Sequence, residues 1–302
     1  MYILKKWYFD FLTPANEYAF VYFATVRFAG RTWRSLTVHL ARPGQEPAVT
    51  RSLTPDVHEE RTGDRHCDRI RVPDGELKIS KDACSLDFSG AGCSVDLRFS
   101  SGSGVPLRPL RVPAPGGAHI LWTPIGLQYR VSGVLTIDGI TLAPSEANGY
   151  VDYMECTALP PLVPVRSLSW GRLHHPGLEM VYVRAENRAG RQSWSKLFLR
   201  EGSLVAENDE CAIATTQDGY ILRSSGDTGT LRVEVRRSSI VQQSSFIDQQ
   251  EITSSPVRSL LKLLTRHPRS TKFLSYATVF MPDGARTPRA ADIPMIDENA
   301  LL

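Results

Sequence analysis

The sequence predicts an all-β protein built from barrels or sandwiches, and three observations carry that reading. Short apolar or alternating runs recur along the 302 residues. Gly, Pro and Asp punctuate them at close intervals. A two-residue hairpin signal, Asp138-Gly139, sits between two of the runs. Only Val257–Arg266 has helical spacing, so one short helix is expected near the C-terminus.

Taken in order, Tyr18–Phe28 (YAFVYFATVRF) is aromatic and β-branched, which suits a strand buried on both faces. Trp33–Leu40 continues it after a turn at Gly30. Val95, Leu97 and Phe99 alternate with Asp96 and Arg98, the pattern of a half-buried strand. Val131–Ile137 and Ile140–Leu142 flank Asp138-Gly139, a pair that favours a type I′ turn. If Gly149–Cys156 is extended, Val151, Tyr153 and Glu155 share one face and Tyr150, Asp152 and Met154 the other. Pro160, Pro161 and Pro164 then mark a crossing, giving domains at 1–158 and 159–284.

In the second half, Glu179–Ala185 puts Val181, Val183 and Ala185 on one face and Met180, Tyr182 and Arg184 on the other. A charge beside Met and Tyr needs a partner or water, so Glu155 and Arg184 are candidates to meet across a pocket; an ordinary strand end in solvent is the plainer alternative. Ser193–Leu199, Tyr220–Arg223 and Thr230–Val235 repeat the strand habit. Ser255 can cap the helix with Pro256 at its first position. Thr271–Met281 reads as a closing strand and 285–302 as a flexible tail. The charged stretch Arg42–Asp68 reads as a solvated connection, and Ser100–Gly117 as a long loop or lid.

Composition bounds the function. With 42% hydrophobic and 22% charged residues the chain is ordinarily globular. A net charge of +3, with both signs interspersed, argues against nucleic acid as a partner. No stretch approaches the roughly 18 apolar residues of a membrane-spanning helix, and Met1–Phe11 lacks a signal-type apolar run. Five irregularly spaced cysteines, with no C-x-x-C pair, point to free thiols in a reducing cytoplasm, although Cys84 and Cys93 could bridge a hairpin. His174 and His175 are adjacent and would point opposite ways on a strand. No zinc, calcium or nucleotide motif is present, so neither a metal nor a cofactor is expected. Gly102-Ser103-Gly104 is not a nucleophile elbow.

The chain carries a family resemblance in Gly149-Tyr150-Val151-Asp152-Tyr153-Met154-Glu155-Cys156, Trp170-Gly171-Arg172 and Tyr182-Val183-Arg184. Together these resemble the central motif of the carotenoid 1,2-hydratase (hydroxyneurosporene synthase) superfamily, which runs Gly-Tyr-His-Asp-His-Asn-Trp-Gly, then Trp-Gly-Arg, then a Tyr two residues before a polar residue. Trp7-Tyr8-Phe9-Asp10 is similar to the family's N-terminal Trp-Trp-Tyr strand, and Leu121-Trp122-Thr123-Pro124 to the strand leading into the motif. The resemblance implies two lipocalin-like antiparallel β-barrel domains with a hydrophobic pocket between them. Relatives on that scaffold include lipocalin-like cyclases, among them decalin-forming Diels–Alderases of fungi.

Departures from the motif shape the functional expectation. The second His and the Trp of the hydratase pattern are Tyr153 and Glu155 here, and the polar residue after the Tyr is Arg184 rather than an acid. The leading expectation is therefore a cofactor-free cyclase or isomerase of a hydrophobic polyene, polyketide-like or terpenoid substrate. Tyr153 and Arg184 would donate hydrogen bonds to a carbonyl, with Glu155 as orienting carboxylate or base. Trp7, Trp122, Trp170, Tyr182 and Asp152 would line the substrate. A hydratase acting on a carotenoid or terpenoid double bond is the second expectation, and a carrier of a lipophilic molecule the third.

Overall fold

Tyr18–Phe28 is a strand along the whole aromatic run, and every side chain in it except Arg27 and Phe28 is buried. The computed structural model describes residues 2–42, 45–53, 58–61, 68–72, 74–80, 82–90, 92–101, 107–202, 204–226, 229–245, 269–280 and 290–301. These divide into two compact units, one ending at Val163 and the other beginning at Pro164. The helix expected at Val257–Arg266 lies outside the described residues. Among those described, no helix is long and apolar enough to cross a membrane.

The first unit is a curled antiparallel sheet of thirteen strands. In chain order they are β1 (Tyr2–Leu12), β2 (Tyr18–Phe28), β3 (Arg31–Arg42), β4 (Gln45–Leu53), β5 (His58–Arg61), β6 (Asp68–Val72) and β7 (Gly75–Ile79). There follow β8 (Ala83–Gly90), β9 (Cys93–Ser101), β10 (Leu110–Pro113), β11 (His119–Ile137), β12 (Ile140–Leu142) and β13 (Ala147–Cys156). Hydrogen bonding joins them as β4-β3-β2-β1-β13-β11-β9-β8-β7-β6-β5, with β10 and β12 as short additions to β11. Within the sheet β1 thus lies against β13, with Trp7 opposite Tyr153 and Lys5 opposite Glu155. On β9, Val95, Leu97 and Phe99 are buried while Asp96 and Arg98 face out. Asp138 and Gly139 both have positive φ (50° and 81°) and close the pairing of Ile137 with Ile140, the geometry of a type I′ turn.

The second unit is a nine-stranded antiparallel sheet. Its strands are β14 (Val165–His175), β15 (Leu178–Asn187), β16 (Ser193–Glu201), β17 (Leu204–Asn208), β18 (Ala212–Thr215), β19 (Gly219–Gly226), β20 (Gly229–Ser245), β21 (Arg269–Phe280) and β22 (Ala290–Leu301). They join in the order β17-β16-β15-β14-β22-β21-β20-β19-β18.

Three expectations from sequence need correction. The stretch expected to be a tail contains β22, which lies in the middle of the second sheet between β14 and β21. Its Ile293, Met295 and Ile296 are buried, and Thr271–Met281 is accordingly the penultimate strand, not the closing one. Pro294 is tolerated because the pairing with β14 begins at Met295, leaving β22 flanked only by β21 at the proline. The connection expected over Arg42–Asp68 contains β4 and β5, whose backbones pair with β3 and β6 despite their charged sequence. The loop expected over Ser100–Gly117 includes β10, paired along β11 from Leu110 opposite Trp122.

Two motif glycines are required by close approach. A Cβ on Gly149 would lie 2.4 Å from Val131 Cγ2 and 2.9 Å from the Phe99 ring, both in the first unit's core. A Cβ on Gly171 would lie 2.6 Å from the ring of Tyr182, its neighbour across β14 and β15. Gly149→Ala is expected to overpack the core and lower unfolding free energy by about 2 kcal/mol, measured as a shifted urea midpoint with unchanged slope.

Candidate active site

Because side chains alternate along β13, the sequence-predicted residues of the first unit fall on two faces. Tyr153 and Glu155 lie on the inner face with Trp7, above a core of Phe9, Phe99, Tyr129 and Val151. Asp152 lies on the opposite face, where the indole N–H of Trp122 donates to its Oδ2 at 3.0 Å.

On the inner face the Tyr153 hydroxyl donates to Glu155 Oε2 at 2.8 Å. The other carboxylate oxygen, Oε1, is 3.5 Å from His119 Nε2. His119 starts β11 beside the end of β13, and its Nδ1 lies 3.3 Å from Thr157 Oγ1. The backbone fastens this corner: His119 N–H donates to Thr157 Oγ1 at 3.0 Å, and Thr157 N–H to the His119 carbonyl at 2.9 Å. Trp7 packs on Tyr153 with ring centroids 4.5 Å apart. Glu155 and His119 retain 23% and 18% side-chain exposure, so the chain of groups is reachable from solvent. A phenol, a carboxylate and an imidazole in series can hold, give and recover a proton next to an aromatic wall. His119 was missed from sequence; its signal, an isolated His at the head of the Leu121-Trp122-Thr123-Pro124 strand, becomes visible only when β11 is paired with β13.

Around β1, β2 and β13 the opposite face of the first sheet is also buried and is polar and aromatic. The Tyr8 hydroxyl donates to Asp10 Oδ2 at 2.6 Å and lies 2.6 Å from the Tyr18 hydroxyl. Since the single Tyr8 proton goes to Asp10, Tyr18 is the donor to Tyr8. Burial, then Asp10 and Tyr18, pushes the Tyr8 hydroxyl well above the ordinary tyrosine range. The Phe20 ring stacks on His39 at 4.6 Å, and Lys6 Nζ lies 3.7 Å from the Tyr22 ring centroid.

In the second unit Trp170 is buried, with Lys272 Nζ 5.1 Å from its ring. Tyr182 is a core residue whose hydroxyl bonds that of Tyr220 at 2.7 Å. Arg184 pairs through Nη1 with Glu186, two residues along the same strand, and Glu186 also accepts from Arg166 at 3.0 Å and Ser167 at 3.2 Å. Burial alone would raise the Glu186 carboxyl, but the bonds from Arg184 and Arg166 outweigh it and hold it below the usual carboxylate range. Glu155 and Arg184 thus each have partners within their own unit. His174 Nδ1 lies 3.4 Å from Glu179. Cys84, Cys93, Cys156 and Cys211 are buried free thiols; Cys84 pairs opposite Phe99 and Cys93 opposite Gly90, so the hairpin bridge is not formed. Burial pushes the thiols of Cys156 and Cys211 up to about 11.

No protein-family model matches the chain, and no curated protein matches it in sequence. Solved structures do match. CghA in complex with Sch210972 is 11% identical with a TM-score of 0.68, over 99% of this chain and 88% of that one. A Nitrosomonas europaea protein described as AttH is 12% identical with a TM-score of 0.57, over 99% of this chain and 92% of that one. Kievitone hydratase from Nectria haematococca is 10% identical with a TM-score of 0.56, over 98% of this chain and 88% of that one. These likenesses show an all-β, two-domain lipocalin-like fold, in agreement with the resemblance read from the motifs.

Proposed function

We propose that the chain is an enzyme that cyclises or isomerises a hydrophobic polyene, polyketide-like or terpenoid substrate without a cofactor, using Tyr153 and Glu155. The observation that carries this reading is the Tyr153–Glu155–His119 series against Trp7, set above the apolar core of Phe9, Phe99 and Val151. Glu155 orients the phenol, and the phenol meets a carbonyl oxygen or a shifting proton on the substrate. Holding a flexible chain in one folded conformer against Trp7 lowers the entropic part of the barrier, a term that can reach several kcal/mol. The structural neighbours include a Diels–Alderase cyclase, CghA, and a hydratase, which supports an enzyme on this scaffold.

A hydratase is the second reading, favoured by His119. An imidazole and a carboxylate side by side could protonate an alkene and accept the proton of the incoming water. The experiment is to incubate purified protein with lipophilic extracts of its own producing cells, made with and without an intact gene, and to follow products by mass spectrometry. A product of unchanged mass and shifted retention supports cyclisation or isomerisation. A product heavier by one water overturns it in favour of hydration, and an unchanged compound that co-purifies overturns both in favour of a carrier.

A further inference from the structure

The inner face of the first unit carries more than the Tyr153–Glu155–His119 series. Strand pairing sets Leu121 of β11, Glu155 of β13, Lys5 of β1, Thr25 of β2 and Arg34 of β3 in one row. Residues paired across antiparallel strands point to the same side of the sheet. That side is the core side, since Glu155 stands two positions from Tyr153, Lys5 from Trp7, Thr25 from Phe23 and Arg34 from Leu36. The row thus borders an aromatic floor of Tyr153, Trp7 and Phe23, which pair with one another in the next row.

Arg34 is the member whose charge is unanswered. Its side chain is half-buried, its buried Nε–H has no hydrogen-bond partner, and it forms no ion pair among the described residues. Drawing a guanidinium partly out of water without an acceptor costs free energy, which an incoming anion offsets. The neighbouring charges favour the same sign of ligand. Lys5 and Glu155 are half-buried, while Arg27, two residues after Thr25, and Arg111, opposite Leu121 on β10, are cations exposed to water. With His119 neutral, the half-buried members of the row are two cations and one anion, and the exposed arginines add to the positive side.

We propose that this face anchors an anionic head group of its hydrophobic substrate, a carboxylate held by the Arg34 guanidinium. The proposal rests on the reading that the inner face of the first unit holds the substrate. The planar fork of Arg34 matches both oxygens of a carboxylate, so this one side chain is enough to bind it. Lys5, two strands away in the row, adds attraction through space. A single negative charge balances the half-buried excess, whereas a diphosphate would leave negative charge facing Glu155. Arg34 stands three strands from Glu155, about 14 Å along the sheet. An anchored acid therefore lays its chain over Phe23 and Trp7 and brings its far part to Tyr153.

The test is fluorescence titration of the purified full chain with cis-parinarate, a polyene carboxylate, and with its methyl ester. The acid is expected to bind about tenfold more tightly than the ester. Arg34→Gln should weaken the acid about tenfold and leave the ester unchanged, a split that misfolding would not produce. Arg34→Lys keeps the charge but not the fork and should lose part of the preference. Arg98→Gln removes a like charge from the outer face and should change neither affinity. Equal binding of acid and ester, binding of neither, or a full preference in both Arg34 variants would overturn the anchor. So would an equal loss in Arg98→Gln, because the preference would then belong to the overall field. Tighter binding of farnesyl diphosphate than of parinarate would overturn the carboxylate class. Binding is read without turnover, which separates the two readings. Acid preference with no product from the cell extracts leaves the anchor and removes the catalytic reading, whereas product with no preference does the reverse.

Discussion

Arg237→Met is expected to lower stability by about 3 kcal/mol, because it strands a carboxylate that has almost no access to water. The Asp297 side chain is 1% exposed, and Arg237 supplies two of the hydrogen bonds it receives. Ser275 alone then remains on Asp297, which is too little for a buried charge. The effect has a definite pH dependence. Burial holds the Asp297 carboxyl above its ordinary value even with Ser275 and Arg237 in place. Its contribution to stability is therefore fully present below the unfolded value of 3.8 and is lost as pH rises through the raised folded value. Removing Arg237 raises the folded value further, so the deficit of Arg237→Met should be largest near neutrality and shrink on acidification. Urea unfolding of wild type and variant at about pH 7 and about pH 4 measures both. An equal deficit at the two pH values would mean that Arg237 acts by packing against Phe273 and Tyr220, not through charge.

Glu155→Gln and Tyr153→Phe are each expected to lower kcat about 100-fold or more on the compound that the chain converts, with an unchanged circular dichroism spectrum. Glutamine keeps the shape of Glu155 but cannot hold the negative charge that faces both the Tyr153 hydroxyl and His119 Nε2. Phenylalanine keeps the ring that packs against Trp7 and removes only the hydroxyl. If the two groups act as a unit, the double variant should be little worse than either single one. Full turnover in either single variant would remove the proton role and leave the pocket acting by confinement alone.

Local pattern carried much of the fold. β2 follows the aromatic run residue for residue, β9 follows its alternation, and the Asp138-Gly139 turn follows from the two residues that most readily take positive φ there. The failures share a cause, which is that the deciding partner is far along the chain. Asp297 and Glu298 make β22 look like a tail until Arg237 and Lys272, from β20 and β21, are seen to face them. His119 stands 36 positions before Glu155 (155 less 119), and only the pairing of β11 with β13 brings them together. Glu155 and Arg184 each have a local partner as well, two residues away on the same strand face. Tyr153 bonds Glu155 and Arg184 bonds Glu186 in just that relation. The faces of β13 were legible from alternation, but not that both faces would be buried.

The position of β22 has a consequence for how the protein is made. β14 is translated long before the strand that lies beside it, and β15 to β21 must wait with an unfilled gap at the sheet's centre until 290–301 has left the ribosome. The described strands of the first sheet meet no such delay, since β13 arrives to pair with β1 before β14 is synthesised. The nascent chain should therefore gain protease resistance in two steps, an early one over the first unit and a late one over the second. Between them the uncovered edges of β14 and β21 are the segment most exposed to chaperones and to self-association.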